Sequence, residues 1–167
     1  FLAESSINYW LERYPDISFL VEPRDADNYI TQVFPGKRLY IPGLKVNDLI
    51  FEYLAGNVRV EEFVSRDDIF NAVYLTDEIH EVAGKEMLFG VRVLYSDCFN
   101  ITPRFDGVIY DQETGAMYVY PTRGRKFRVA GSTYPQVFEQ IEDFLDLSIQ
   151  GLYEKLVPAL DETFRKS

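Results

Sequence analysis

Residues 105–147 constrain the fold more than any other part of this chain. The stretch opens with FDGVIYDQETGAMYVYP, in which two runs of β-branched and aromatic residues, 105–110 and 116–120, flank the polar segment DQETG. A short polar connection ending in glycine between two such runs is hairpin chemistry. Asp111 and Gly115 are the residues that turn it, the first through its side chain, the second through its free φ. The period then changes from two to 3.6. Thr133 stands where a helix would be capped, and Val137, Phe138, Ile141, Phe144, Leu145 and Ile149 recur on one stripe. Glu139, Glu142, Asp143 and Asp146 fill much of the opposite side. An aromatic hairpin leading into an amphipathic acidic helix is therefore expected.

The rest of the chain supplies more strands and two shorter helices. Ser5 or Ser6 can cap a helix through Tyr14, with Ile7, Trp10 and Leu11 on one face and Pro15 as its stop. Residues 17–21 and 29–34 read as strands, with the polar loop EPRDADN between them, and 39–41 as a third short strand. Asn47 is a good N-cap for a helix to about Ala55, ended by Gly56-Asn57. Residues 58–64 are ambiguous between strand and helix, whereas 69–75 and KEMLFGVRVLY, 85–95, read as strands. Gly90 interrupts the latter and marks a bulge. Residues 127–130 add a further strand, and Pro158 breaks or kinks the last helix. The fold class that follows is α+β: a short N-terminal helical part, a central and mainly antiparallel sheet, and a C-terminal amphipathic helix.

Length and composition suit one domain with a real core, since 167 residues carry 47% hydrophobic and 16% aromatic side chains. Disorder is excluded by that hydrophobicity. The first residue is Phe rather than Met, which leads us to expect a single domain, 1–167, excised from a longer chain. Cys98 is the only cysteine, so no internal disulfide can form and a reducing, cytoplasmic setting is expected. The apolar runs fall short of the ~18 residues of a membrane span. A net charge of −10 would repel phosphates, so direct nucleic-acid binding is not expected. A basic protein is the partner such a charge suits.

Residues for catalysis are sparse. His80 is the sole histidine, no G-x-S-x-G serine signature is present, and one Cys with one His is too small a set for zinc. No metal or cofactor is expected. Asp106, Asp111, Glu113 and Thr114 crowd one hairpin but lack the spacing of a calcium loop. The adjacent acids Glu61/Glu62, Asp67/Asp68 and Asp77/Glu78 would point to opposite faces of a strand. Arg123, Arg125, Lys126 and Arg128 form the one basic run, beside Tyr118, Tyr120 and Phe127. The run suits a solvated loop or an edge that binds an anion or a protein.

The C-terminal order of strand, D-x-x-T-G loop, aromatic strand, polar turn and capped helix ending in E-D-F-L resembles the SUKH superfamily. That superfamily includes fungal cell-wall-synthesis regulators, bacterial immunity proteins against polymorphic toxins, and relatives in large DNA viruses. The residues that carry the resemblance are FDGVIYD at 105–111, Thr114-Gly115, MYVY at 117–120 and 138–145. The segment IPGLKVNDLIFEYLAG, 41–56, is similar to the helix that precedes the family's sheet. The likeness extends over about residues 38–150, and the opening helix and the glycine turn after the first long helix depart from the family's spacing. It implies an α+β fold with no catalytic residues of its own, acting by binding a protein.

A non-enzymatic binding module is thus the expected function, its acidic surface set against a basic protein such as a nuclease toxin or a host nucleic-acid-binding protein. Trp10, Tyr118 and Tyr120 are the expected aromatic anchors, with Arg123, Arg125 and Asp106 beside them. Two rival readings remain open. One is a hydrolase-type enzyme with a dispersed site built from Asp106, His80 or Cys98; the other is an assembly domain that self-associates through an edge strand.

Overall fold

In the computed structural model the described residues are 2–14, 16, 18–24, 27–34, 39–66, 69–122, 126–129 and 132–167, with the backbone alone at 2–7, 18, 20–24, 27–29, 31, 32 and 34. The chain folds as two compact units, Phe1–Tyr40 and Ile41–Ser167. The first contains α1 (Leu2–Arg13) and an antiparallel pair, β1 (Ser18–Arg24) with β2 (Asp27–Phe34). The expected loop at EPRDADN is shorter than its polarity suggested, because both strands run into it.

The second unit contains α2 (Gly43–Leu54) and a five-stranded antiparallel meander in the order β3-β4-β5-β6-β7. These strands are Val58–Arg66, Ile69–Val82, Lys85–Ser96, Arg104–Asp111 and Met117–Tyr120. α3 (Tyr134–Gly151), a π-helical turn (Leu152–Leu156) and α4 (Val157–Arg165) follow without a break. The α+β class is as expected.

Alternation along the strands sorts the sheet into two faces. Met87, Phe89, Val91, Val93 and Tyr95 of β5 point to the side that carries the helices, as do Phe105 and Ile109 of β6. Gly107 lies among them because a Cβ there would stand 2.7 Å from the Ser148 carbonyl and 2.8 Å from Leu152 Cγ. The helix therefore rests directly on the β6 backbone. α3 presents Val137, Ile141, Phe144, Leu145 and Ser148 to this face, all buried. α2 contributes Val46 and Ile50, and Phe51 meets the Tyr74 ring edge-on at 5.7 Å. The other face holds a smaller cluster of Val73, Leu75, Leu88 and Val108, flanked by Tyr110, Met117 and Val119. Arg59 reaches across two strands to within 5.8 Å of the Tyr110 ring centre.

Several expectations are corrected by contacts distant in sequence. Residues 39–41 form no strand; Ile41 makes single bonds, its N–H to Asp97 O at 3.1 Å and its carbonyl accepting from Tyr95 Oη at 2.8 Å. Asn47 lies inside α2 rather than capping it, and accepts from Tyr74 Oη at 2.9 Å. The helix begins at Gly43, whose N–H donates to the Asp97 carboxylate at 2.9 Å. A negative charge there suits the helix N-terminus. Residues 126–129 are not a strand, and Ala130 lies outside the described residues. Pro158 does not end the helix. The π turn before it, closed by the Val157 N–H on Leu152 O, shifts the register so that the proline enters at the first turn of α4, where its missing N–H is not needed.

The 111–115 turn is as expected, and it carries a pH dependence. Asp111 Oδ1 accepts from the N–H groups of Glu113 (2.9 Å) and Thr114 (3.2 Å), Lys85 Nζ lies 3.3 Å from Oδ2, and Gly115 adopts φ 72°. Burial works to raise the pKa of Asp111, but the bonds from Thr114, Glu113 and Lys85 outweigh it and hold the carboxyl below its ordinary value. The folded form thus takes up a proton less readily than the unfolded form. Its stabilising contribution is complete above the ordinary value of 3.8 and is lost as pH falls through the lower folded value. In urea titrations at stepped pH, Asp111→Asn is expected to weaken the chain above pH 3.8 and to flatten the acid limb of its stability curve.

Candidate partner-binding surface

The capped start of α3 sets which residues face outward. Thr133 Oγ1 accepts from the Gln136 N–H, and the Gln136 side chain accepts in return from the Thr133 N–H at 2.9 Å, a capping box. With Val137, Ile141 and Phe144 turned to the sheet, Glu139, Glu142, Asp143 and Asp146 fall on one exposed stripe by their i, i+3, i+4 and i+7 spacing. α2 packs on the same sheet face against β4 and β5 and exposes Asp48 and Glu52. α3 has no basic residue, and α2 has only Lys45.

The two helices meet through Tyr53 of α2, whose hydroxyl donates to Asp146 Oδ1 of α3 at 2.5 Å. Burial, then this bond and the charges of Asp146 and Glu142, push the Tyr53 phenol far above its ordinary range. The charges of Asp146 and Glu142 thus add to an effect that burial begins. Like charges at i, i+3 and i+4 weaken a helix by a few tenths of a kcal/mol per pair, roughly 0.2–0.5. The acidic layer therefore contributes nothing to helix stability.

The residues expected at the binding surface lie on separate elements. Trp10 is 46% exposed on α1, edge-on to Tyr9 at 5.7 Å and stacked with Tyr14 at 5.6 Å. Tyr118 and Tyr120 are half-buried on the helix-bearing face of β7. Tyr118 meets Phe164 edge-on at 6.1 Å, and the Tyr120 ring lies so close to Gly151 that a Cβ there would stand 1.9 Å from it. Both rings are engaged by the C-terminal helix. Arg123 and Arg125 lie outside the described residues.

Asp106 is buried on the opposite face, where Oδ2 binds Arg92 at 3.1 Å and Arg104 at 3.0 Å, and Oδ1 accepts from the Thr122 N–H at 3.3 Å. Each oxygen of this carboxylate is committed to internal partners. His80 is in β4, stacked on Phe89 at 4.0 Å with Tyr153 edge-on at 6.0 Å. Cys98 is buried, just past the end of β5. His80 pairs with Met87, and Met87 to Ser96 is roughly 30 Å of extended strand. The thiol and imidazole are therefore at opposite ends of β5, and Asp106 is across the sheet from His80. The fold does not assemble these three into one site. Among the described residues no cluster of His, Cys, Asp and Glu is placed to hold a metal ion, and no helix is long and apolar enough to cross a membrane.

Sequence reasoning located the α3 acids but missed Asp48, Glu52 and Tyr53 as their neighbours. The i, i+4 spacing of Asp48 and Glu52 was the available signal. No protein-family model, curated protein or solved structure matches this chain.

Proposed function

We propose that this chain is a non-enzymatic protein-binding module, of the immunity or host-interaction kind found in the SUKH superfamily, whose α2–α3 layer meets a basic protein. The observation that carries the reading is the segregation of charge: six exposed carboxylates on two adjoining helices, with one lysine among them. Complementary charge speeds encounter and fixes register, whereas buried contacts supply most of the affinity. That the layer works against helix stability supports selection for recognition. The order of α2, antiparallel sheet, D-x-x-T-G hairpin and capped α3 agrees with what the resemblance implies, and the proposal extends to that kinship.

The test is a paired variant, Glu139→Gln with Glu142→Gln, compared with the unaltered chain in capture from lysate at a series of salt concentrations. We expect the unaltered chain to retain one identifiable basic protein that is released as salt rises. The variant should lose it at the same ionic strength, while its thermal midpoint stays level or rises slightly. Capture that is indifferent to both salt and neutralisation would overturn the reading.

A further inference from the structure

Among the described residues β3 is an edge strand with one strand neighbour, β4, and every residue from Arg59 to Arg66 is exposed. Phe63 and Val64 are 58% and 65% exposed. An open edge of this length presents a row of backbone donors and acceptors to another strand. Its two halves differ. The register with β4 shifts between Val60 and Glu62, which breaks the ladder near the start, whereas Glu62, Phe63, Val64, Ser65 and Arg66 pair with Val73 through Ile69 without interruption. The second half is the part able to accept a neighbour.

Its sequence, E-F-V-S-R, is complementary to itself. In an antiparallel pair related by a two-fold axis normal to the sheet, a residue opposite itself lies on the axis, and directly opposed side chains share a face. With Val64 on the axis, Glu62 stands opposite Arg66 at both ends and Phe63 stands opposite Ser65. Moving the axis to Glu62 places two glutamates together, and moving it to Phe63 leaves Arg66 opposite Val60 across the bulge. Only the Val64 register satisfies both charges. Opposite charges directly across a strand pair stabilise it, and like charges do the reverse.

We propose that β3 pairs with β3 of a second copy of this chain, antiparallel about a two-fold axis through Val64, with Glu62 facing Arg66 of the other copy. The interface is small, so the dimer is weak and concentration-dependent. It uses the sheet edge rather than the α2–α3 layer and stands or falls independently of the proposed binding function.

Sedimentation equilibrium of the full chain over a wide concentration series tests it. We expect a reversible monomer–dimer curve. Glu62→Arg alone and Arg66→Glu alone should each weaken association about tenfold, because both symmetry-related pairs become repulsive. An equimolar mixture of the two variants should recover it as a heterodimer, since each chain then carries the charges that the other lacks. Val64→Lys should abolish it. All these positions are exposed, and urea titration of each variant will verify that it folds. A monomer at every concentration would overturn the proposal. So would variants that associate like the unaltered chain, a mixture that fails to recover, or open-ended growth, which would indicate pairing of β3 with β7.

Discussion

Gly90→Ala is expected to lower the unfolding free energy by about 3–4 kcal/mol. Gly90 pairs with Leu75 where the register of β4 against β5 slips, between Leu75 and Ile79. The bulge drives the β4 backbone toward β5, and a Cβ on Gly90 would stand 1.9 Å from the Tyr74 carbonyl oxygen and 2.9 Å from Leu75 Cα. Both atoms are main chain in the middle of the sheet, so no side-chain rotation relieves the overlap. Either β4 separates from β5 there or the bulge is rebuilt. Urea titration should show a lower midpoint with an unchanged slope. Gly56→Ala is the comparison: it shares the backbone entropy term and adopts φ 68°, but an added Cβ meets nothing within 4 Å. Its loss should be near 1 kcal/mol. Equal losses at the two positions would mean that the close approach at Gly90 is not what matters.

The same glycine shows how far the sequence could be read. Its interruption of an otherwise apolar run signalled a bulge, but the extra residues belong to the neighbouring strand, which sequence periodicity cannot reveal. β4 itself was legible only to Leu75, because Thr76, Asp77 and Glu78 break the alternation that continues at Ile79. His80 consequently lay beyond the expected strand. The 111–115 turn and the start of α3 were legible because their stabilising bonds are local, from Asp111 to Glu113 and Thr114, and between Thr133 and Gln136. The start of α2 was misplaced because the group that caps it, Asp97, is 54 residues away. Likewise, the acids of α3 could be read from its helical period, but their junction with α2 depends on a Tyr53–Asp146 bond that spans 93 residues. Asp106 was distinctive in the sequence as a candidate reactive group. Its burial beside Arg92 and Arg104 follows from cross-strand register, which a single strand does not disclose.

Phe105→Ala is expected to cost about 3–5 kcal/mol, through lost burial and the cavity left behind. The side chain is fully buried, with ring centres of Phe127 and Phe144 at 6.3 and 6.4 Å, so it joins β6 to α3 and to the segment before α3. Its backbone reinforces the joint: the Phe105 carbonyl accepts from Thr122 Oγ1 at 3.0 Å and lies 2.5 Å from Ser148 Oγ of α3, whose one proton is shared with Phe144 O at 2.7 Å. Losing the ring should therefore loosen α3 more than the sheet. Amide exchange is expected to accelerate along Tyr134–Gly151 beyond the global change, while the centre of β5 follows global unfolding alone. Phe63→Ala is the control of equal chemistry: its ring stacks on Phe70 at 6.0 Å but is 58% exposed, so its loss should stay within about 1 kcal/mol. Because the acidic stripe is held in place by the buried side of α3, Phe105→Ala should also weaken capture of the proposed basic partner without removing any charge. That effect should fade at temperatures where the variant is fully folded. A loss of capture that persists in the folded variant would mean that Phe105 shapes the binding surface, and that charge alone does not account for recognition.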